Sequence, residues 1–182
     1  MKLTPHKGRL RRFGRDARGA AAIEFAFVAG PFLFMLFAVI ELALVFLVST
    51  SLDAASDRAA RRIRTGQFQT ANETKVQFKT AVCSKMTWLA DDCTNRLTVN
   101  VQTYTLHSQV QPYAPVEIVN GRKVLKAEAN FPASMPAETI VVVRSYYKWP
   151  LISPFLNQAL ERLEGGVALV SSTQIFRTEP YQ

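Results

Sequence analysis

The sequence predicts an α+β fold: a single N-terminal transmembrane helix, extended into an amphipathic helix, packed on a small antiparallel β-sheet domain. Three observations carry that prediction. An uncharged apolar run lies near the N-terminus, a 3.6-residue apolar stripe follows it, and from Arg96 onward apolar and polar residues alternate with β-branched side chains in excess.

Residues 1–19 precede the apolar run. They hold Gly8, Gly14 and seven basic residues (Lys2, Lys7, Arg9, Arg11, Arg12, Arg15 and Arg18) against the single Asp16, without apolar periodicity, and are expected to form a basic cytoplasmic leader. Most of the net charge of +8 is therefore concentrated in this arm. A basic excess abutting a span follows the positive-inside rule, so no nucleic-acid partner is expected and the chain beyond the span is expected on the exported side.

Residues 20–64 read as one long helix, with a membrane span over about 20–48. No charge occurs from Phe25 to Ile40, and Leu42 to Leu52 prolongs the run enough to cross the ~30 Å hydrocarbon core at ~1.5 Å per residue, making membrane lipid the first expected partner. Gly30 and Pro31 are expected to kink or locally melt the helix, because proline donates no amide to Phe27. Beyond the span, Leu52, Ala55, Ala59 and Ile63 form an apolar stripe opposite Asp53, Asp57 and Arg61, with Asp57 and Arg61 spaced for an ion pair. Gly66 is the stop signal.

Residues 65–182 are expected to form an exported α+β domain with one disulfide. A second helix is expected from about Asn72 to Ala90, capped by Asn72 or Thr70, with Val76, Val82, Met86 and Leu89 as its apolar face. Leu97, Val99 and Val101 alternate with polar residues in the first strand. Asn120-Gly121 is a two-residue hairpin turn between Val116–Val119 and residues 123–127. Thr139 to Trp149 is the clearest strand, with Val141, Val143, Tyr147 and Trp149 on one face, and Gly166 to Phe176 is the last. The stretch from Leu151 to Leu163 is expected to hold one or two helical turns. Cys83 and Cys93 are expected to pair in an oxidising compartment, closing a short loop; their spacing is not that of a Cys-x-x-Cys redox site.

The residue types that carry chemistry are scarce. His6 and His107 are the two histidines, and no phosphate loop, nucleophile elbow or zinc motif is present, so no enzyme, cofactor or metal is expected. Asp91 and Asp92 beside Cys93 point in different directions and are read as a solvated loop. Glu24 demands an explanation. A lone carboxylate at the bilayer centre costs ~2.5–3.5 kcal/mol, less at the shallow depth of Glu24, where snorkelling to the basic interface is the plain alternative.

The run Arg18-Gly19-Ala20-Ala21-Ala22-Ile23-Glu24-Phe25 is similar to the processing motif of type IV prepilins, and with the apolar segment and AASDRAARRIRTG it resembles the TadE-like family of tight-adherence (Tad, or Flp) pilus assembly proteins. The paired cysteines, the strand ending Trp149-Pro150 and the closing residues 176–181 support the likeness. The resemblance implies a pilin-like fold and cleavage by a prepilin peptidase between Gly19 and Ala20, with Glu24 and Phe25 as recognition or assembly positions. It matches Glu41 to a recurrent glutamate near the end of the family's apolar segment. That second carboxylate lies about 25 Å beyond Glu24, near the opposite interface, where it is expected to snorkel. Gly30 stands where many relatives carry proline, and Ala20 replaces the bulky first residue of the best-known type IV pilins, so N-methylation is not implied.

The implied function is that of a minor pilin or pseudopilin-like structural subunit of a Tad-type (type IVb) pilus assembly system. Its implied partners are the prepilin peptidase, other pilin or pseudopilin subunits and the Tad machinery. The implied location is the inner membrane, with the N-terminus cytoplasmic and the C-terminal domain periplasmic, before any entry into an extracellular pilus. The alternative is an uncleaved single-pass membrane protein with a periplasmic binding or scaffold domain. Cleavage would create an α-ammonium at Ala20, four residues from Glu24, so the carboxylate would gain a partner on its own or a neighbouring chain.

Overall fold

The computed structural model describes residues 19–126, 131–132, 134–152 and 162–180. Helix α1 runs Ala20–Arg64 and is continuous through Gly30 and Pro31, without the local melting expected there. It ends as Gly66 takes a φ of 77°, a left-handed conformation that glycine adopts without strain. Arg61, Arg62 and Arg64 sit in the last turn, where cations complement the carbonyl end of a helix. The chain divides between Ile40 and Glu41 into two compact units. In the first, the helix beyond Glu24 is apolar on every side and exposed along nearly its whole length, Phe25, Phe27, Phe32 and Phe37 included. It is long and apolar enough to cross a membrane.

In the second unit the same helix becomes one-sided. Val48, Leu52, Ala55, Ala59 and Ile63 are buried at three- and four-residue steps, while Asp53, Asp57 and Arg61 face outward. Asp57 and Arg61 form no ion pair with each other; among the described residues α1 is tied instead by Arg62 to Glu73 and by Arg64 to Glu179 at 3.1 Å. The buried stripe packs on the central sheet, whose strands β1 (Leu97–Tyr104), β4 (Ile140–Pro150), β6 (Val167–Arg177) and β5 (Arg162–Leu163) lie in the antiparallel order β1-β4-β6-β5. Leu97, Val99 and Val101 of β1 and Val141, Val143 and Tyr147 of β4 supply the sheet side of this core. Strands β2 (Val116–Val119) and β3 (Arg122–Leu125) form the expected hairpin, with Asn120 and Gly121 both at positive φ (51° and 76°), as a type I′ turn requires.

The second helical region differs from the expected single helix. It comprises α2 (Gln67–Thr70), α3 (Lys75–Lys85), a 3-10 turn (Thr87–Leu89) and α4 (Ala90–Arg96). The cap of α3 is Thr74, not Asn72 or Thr70: its hydroxyl accepts the Gln77 amide while Gln77 Oε1 accepts the Thr74 amide at 2.6 Å, a complete capping box. Asn72 instead takes a φ of 50° in the turn after α2. The inward face is Phe78, Val82, Cys83 and Met86, and Val76 is exposed. Phe68, Phe78 and Phe131 pack as a triad with ring centroids 5.6–6.2 Å apart. Asp91 and Asp92 lie in the first turn of α4, not in a loop. Asp92 accepts from Arg96 and Asn95, and the Arg96 hydrogen bond holds its carboxyl below the usual range. The turns expected between Leu151 and Leu163 fall mostly outside the described residues, and Arg162–Leu163 are strand.

Both faces of β4 are covered. On the face away from α1, Val142, Arg144 and Tyr146 are buried beneath the segment between β1 and β2. Arg144 Nη1 donates to Gln102 Oε1 (2.6 Å), Nη2 donates to the Gln111 carbonyl (3.0 Å), and the guanidinium stacks on Tyr113, 5.5 Å from its ring centroid. Tyr113 also packs on Tyr146 (6.2 Å), and burial pushes the Tyr146 hydroxyl up to about 12.

Candidate functional site

Gly19, Ala20, Glu24 and Phe25 occupy the start of α1 and are all exposed. The helix begins at Ala20, so the Gly19–Ala20 bond joins it to the preceding chain. A Cβ on Gly19 would meet nothing within 4 Å, and its backbone is not in the left-handed region. Among the described residues nothing calls for glycine here. Ala20 and Glu24 stand one turn apart on the same helical face, the separation at which an amine and a carboxylate can pair. Among the described residues, no ion pair includes Glu24 in the uncut chain.

Glu41 does not snorkel. It opens the buried stripe, four residues ahead of half-buried Val45, and is itself only 3% exposed. Its Oε1 accepts the backbone amide of Ile152 at 2.5 Å, just past the end of β4. At the opposite end, the Arg64 carbonyl accepts the Glu179 amide at 2.8 Å, which satisfies an otherwise orphaned terminal carbonyl. From Glu41 to Arg64 the helix covers about 35 Å, and the eleven residues of β4 cover about 36 Å. Helix and central strand are thus matched in length and fastened at both ends.

Cys83, in the last turn of α3, is bonded to Cys93 of α4, with Cα atoms 5.6 Å apart and both residues buried. The closed loop carries the 3-10 turn, with Met86 fully buried beneath it. It presents Trp88, half exposed, edge-on to Trp149 near the end of β4, with ring centroids 6.1 Å apart.

Two grooves flank the domain half of α1. One, about 440 Å³, lies against α3 and is lined by Arg58, Arg62, Glu73, Gln77 and Lys85. The other, about 470 Å³, lies against β6 and is lined by Asp57, Arg61, Arg64, Gln174, Phe176 and Glu179. Both are polar-rimmed surface features of mixed charge. Among the described residues no group of three His, Cys, Asp or Glu side chains converges on a common point.

Residues 19–61 match the family described as TadE-like protein. They form a TadE-like domain. The match starts at the glycine before α1 and ends one turn short of Arg64, so the TadE-like domain is α1 itself, membrane-capable part and sheet-packing part together. No curated protein and no solved structure matches the chain.

Proposed function

We propose that the chain is a minor pilin or pseudopilin-like subunit of a Tad-type pilus assembly system, cut by a prepilin peptidase after Gly19. The observation that carries this reading is the coincidence of two boundaries with a glycine of unconstrained surroundings. The TadE-like match begins at Gly19, α1 begins at Ala20, and nothing among the described residues calls for glycine at position 19. Such a glycine suits recognition by another protein that approaches the backbone closely.

In this reading the N-terminus is cytoplasmic, the domain beyond the span is periplasmic, and the subunit acts by packing, with no cofactor and no chemistry of its own. Gly30 and Pro31 bend the span. Cleavage removes the basic leader and leaves an α-ammonium at Ala20, which pairs with Glu24 of a neighbouring subunit and sets their axial register. The mixed-charge grooves on either side of α1 receive neighbouring subunits or the assembly machinery.

The test is Gly19→Ala expressed beside the prepilin peptidase. The unaltered chain shortens by its leader, and the variant stays full length with the domain's melting temperature unchanged. Equal processing of both, or of neither, sinks the proposal, and the second result favours a permanently anchored protein with a periplasmic scaffold domain.

A further inference from the structure

The helix and the domain share a fixed reference point in the bond from the Ile152 amide to Glu41. Counted along α1, Glu41 lies about 31 Å beyond Ala20, the thickness of a bilayer's hydrocarbon core. The outward side of the helix nevertheless stays apolar beyond Glu41. Leu42, Phe46 and Leu47 are all exposed, and the first exposed charge is Asp53. From Ala20 to Leu47 is about 40 Å, the thickness of a bilayer with its headgroup layers. The apolar surface of α1 thus passes the level of the Glu41–Ile152 contact by about 9 Å.

We propose that the corner of the domain at the end of β4, centred on Ile152, is seated in the lipid at the boundary between acyl chains and headgroups. Residue 152, an isoleucine, is held at the depth of Glu41 and is 80% exposed. Three residues earlier is Trp149, and against it the half-exposed Trp88; an indole is the side chain most at home at a membrane interface. Leu42, next in sequence to Glu41, and Phe46, little more than a turn beyond it, are exposed and apolar, so a bilayer that reaches them also reaches the depth of this corner. Glu41 then needs no route to water, because the domain brings its hydrogen-bond donor down to it.

This inference rests on α1 spanning a bilayer. The full chain is reconstituted into phosphatidylcholine vesicles brominated near the headgroup end of the acyl chains. The native Trp88 and Trp149 report the corner first. A second protein, Ile152→Trp with Trp88→Phe and Trp149→Phe, reports position 152 alone. The expected result is an emission loss of about twofold in brominated against plain vesicles, with little further quenching by aqueous iodide. Emission insensitive to bromine but open to iodide, in protein that floats with the vesicles, overturns the seated corner and leaves the span standing. Emission shielded from both quenchers also overturns it, pointing to a neighbouring subunit over the corner. Protein that fails to float overturns span and corner together.

Discussion

Replacing Glu41 with alanine removes the acceptor of the Ile152 amide, the fastening of α1 at the β4 end of the sheet. A hydrogen bond to a charged group contributes about 1.5–3 kcal/mol, and the amide left behind loses a partner at a mostly buried position. A domain of this size shifts its melting temperature by roughly 3–5 °C per kcal/mol, so Glu41→Ala is expected to lower it by roughly 5–15 °C. Glu41→Gln keeps an acceptor of similar reach and is expected to lose about half as much. Melting in detergent, followed by near-ultraviolet circular dichroism, reads the shift, and hydrogen exchange at the Ile152 amide localises it. If Glu41→Ala melts within about 2 °C of the unaltered protein, with the Ile152 amide still protected, the fastening role assigned to this carboxylate is wrong.

The disulfide closes a loop between residues ten apart in sequence and is expected to contribute roughly 2–3 kcal/mol, so Cys83→Ser with Cys93→Ser should lower denaturant stability by that amount. An unchanged unfolding midpoint would count against it. Alkaline pH tests the buried face of β4. Because folding raises the Tyr146 hydroxyl from 10.0 to about 12, its contribution to stability is complete below pH 10 and is lost as pH rises through 12. Absorbance titration should therefore show late tyrosine ionisation, reduced but not abolished in Tyr146→Phe, since burial also raises Tyr147. Leu52 is fully buried between α1 and the sheet, and Leu52→Ala is expected to cost about 2–5 kcal/mol in the same unfolding assay.

The local signals in this sequence proved legible and the non-local ones did not. The end of α1 at Gly66, the Asn120-Gly121 hairpin and the alternation in β1 each depend on a few adjacent residues, and each lies where the pattern put it. The sequence pattern places the start of α3 too early because Thr70, Asn72 and Thr74 are all good caps. Thr70 and Thr74 each carry a capping-box partner three residues on, Glu73 and Gln77, and the choice falls to Thr74 as Glu73 pairs instead with Arg62 of α1, a contact from outside the segment. Val76 lies six residues from Val82, about 240° around the helix, and is exposed, whereas Phe78, four residues from Val82, shares its buried face. Burial of Arg144 and Tyr146 follows from Tyr113 and Gln111 folding over β4, a contact between segments that no periodicity announces. Glu41 is the sharpest case. Depth alone suggested snorkelling, whereas its partner amide lies 111 residues away in sequence, delivered by the registry of helix and sheet.

The site divides in the same way. Gly19, Ala20, Glu24 and Phe25 are read from a contiguous motif, and their exposed placement at the start of α1 suits contact with other proteins. The corner at Ile152 emerges only when the depth of Glu41 is known.

The central claim is processing at the leader, and the intact mass of the protein extracted from membranes of cells that carry the prepilin peptidase tests it most directly. A mature chain beginning at Ala20 is the expected result; a chain that retains residues 1–19 contradicts it.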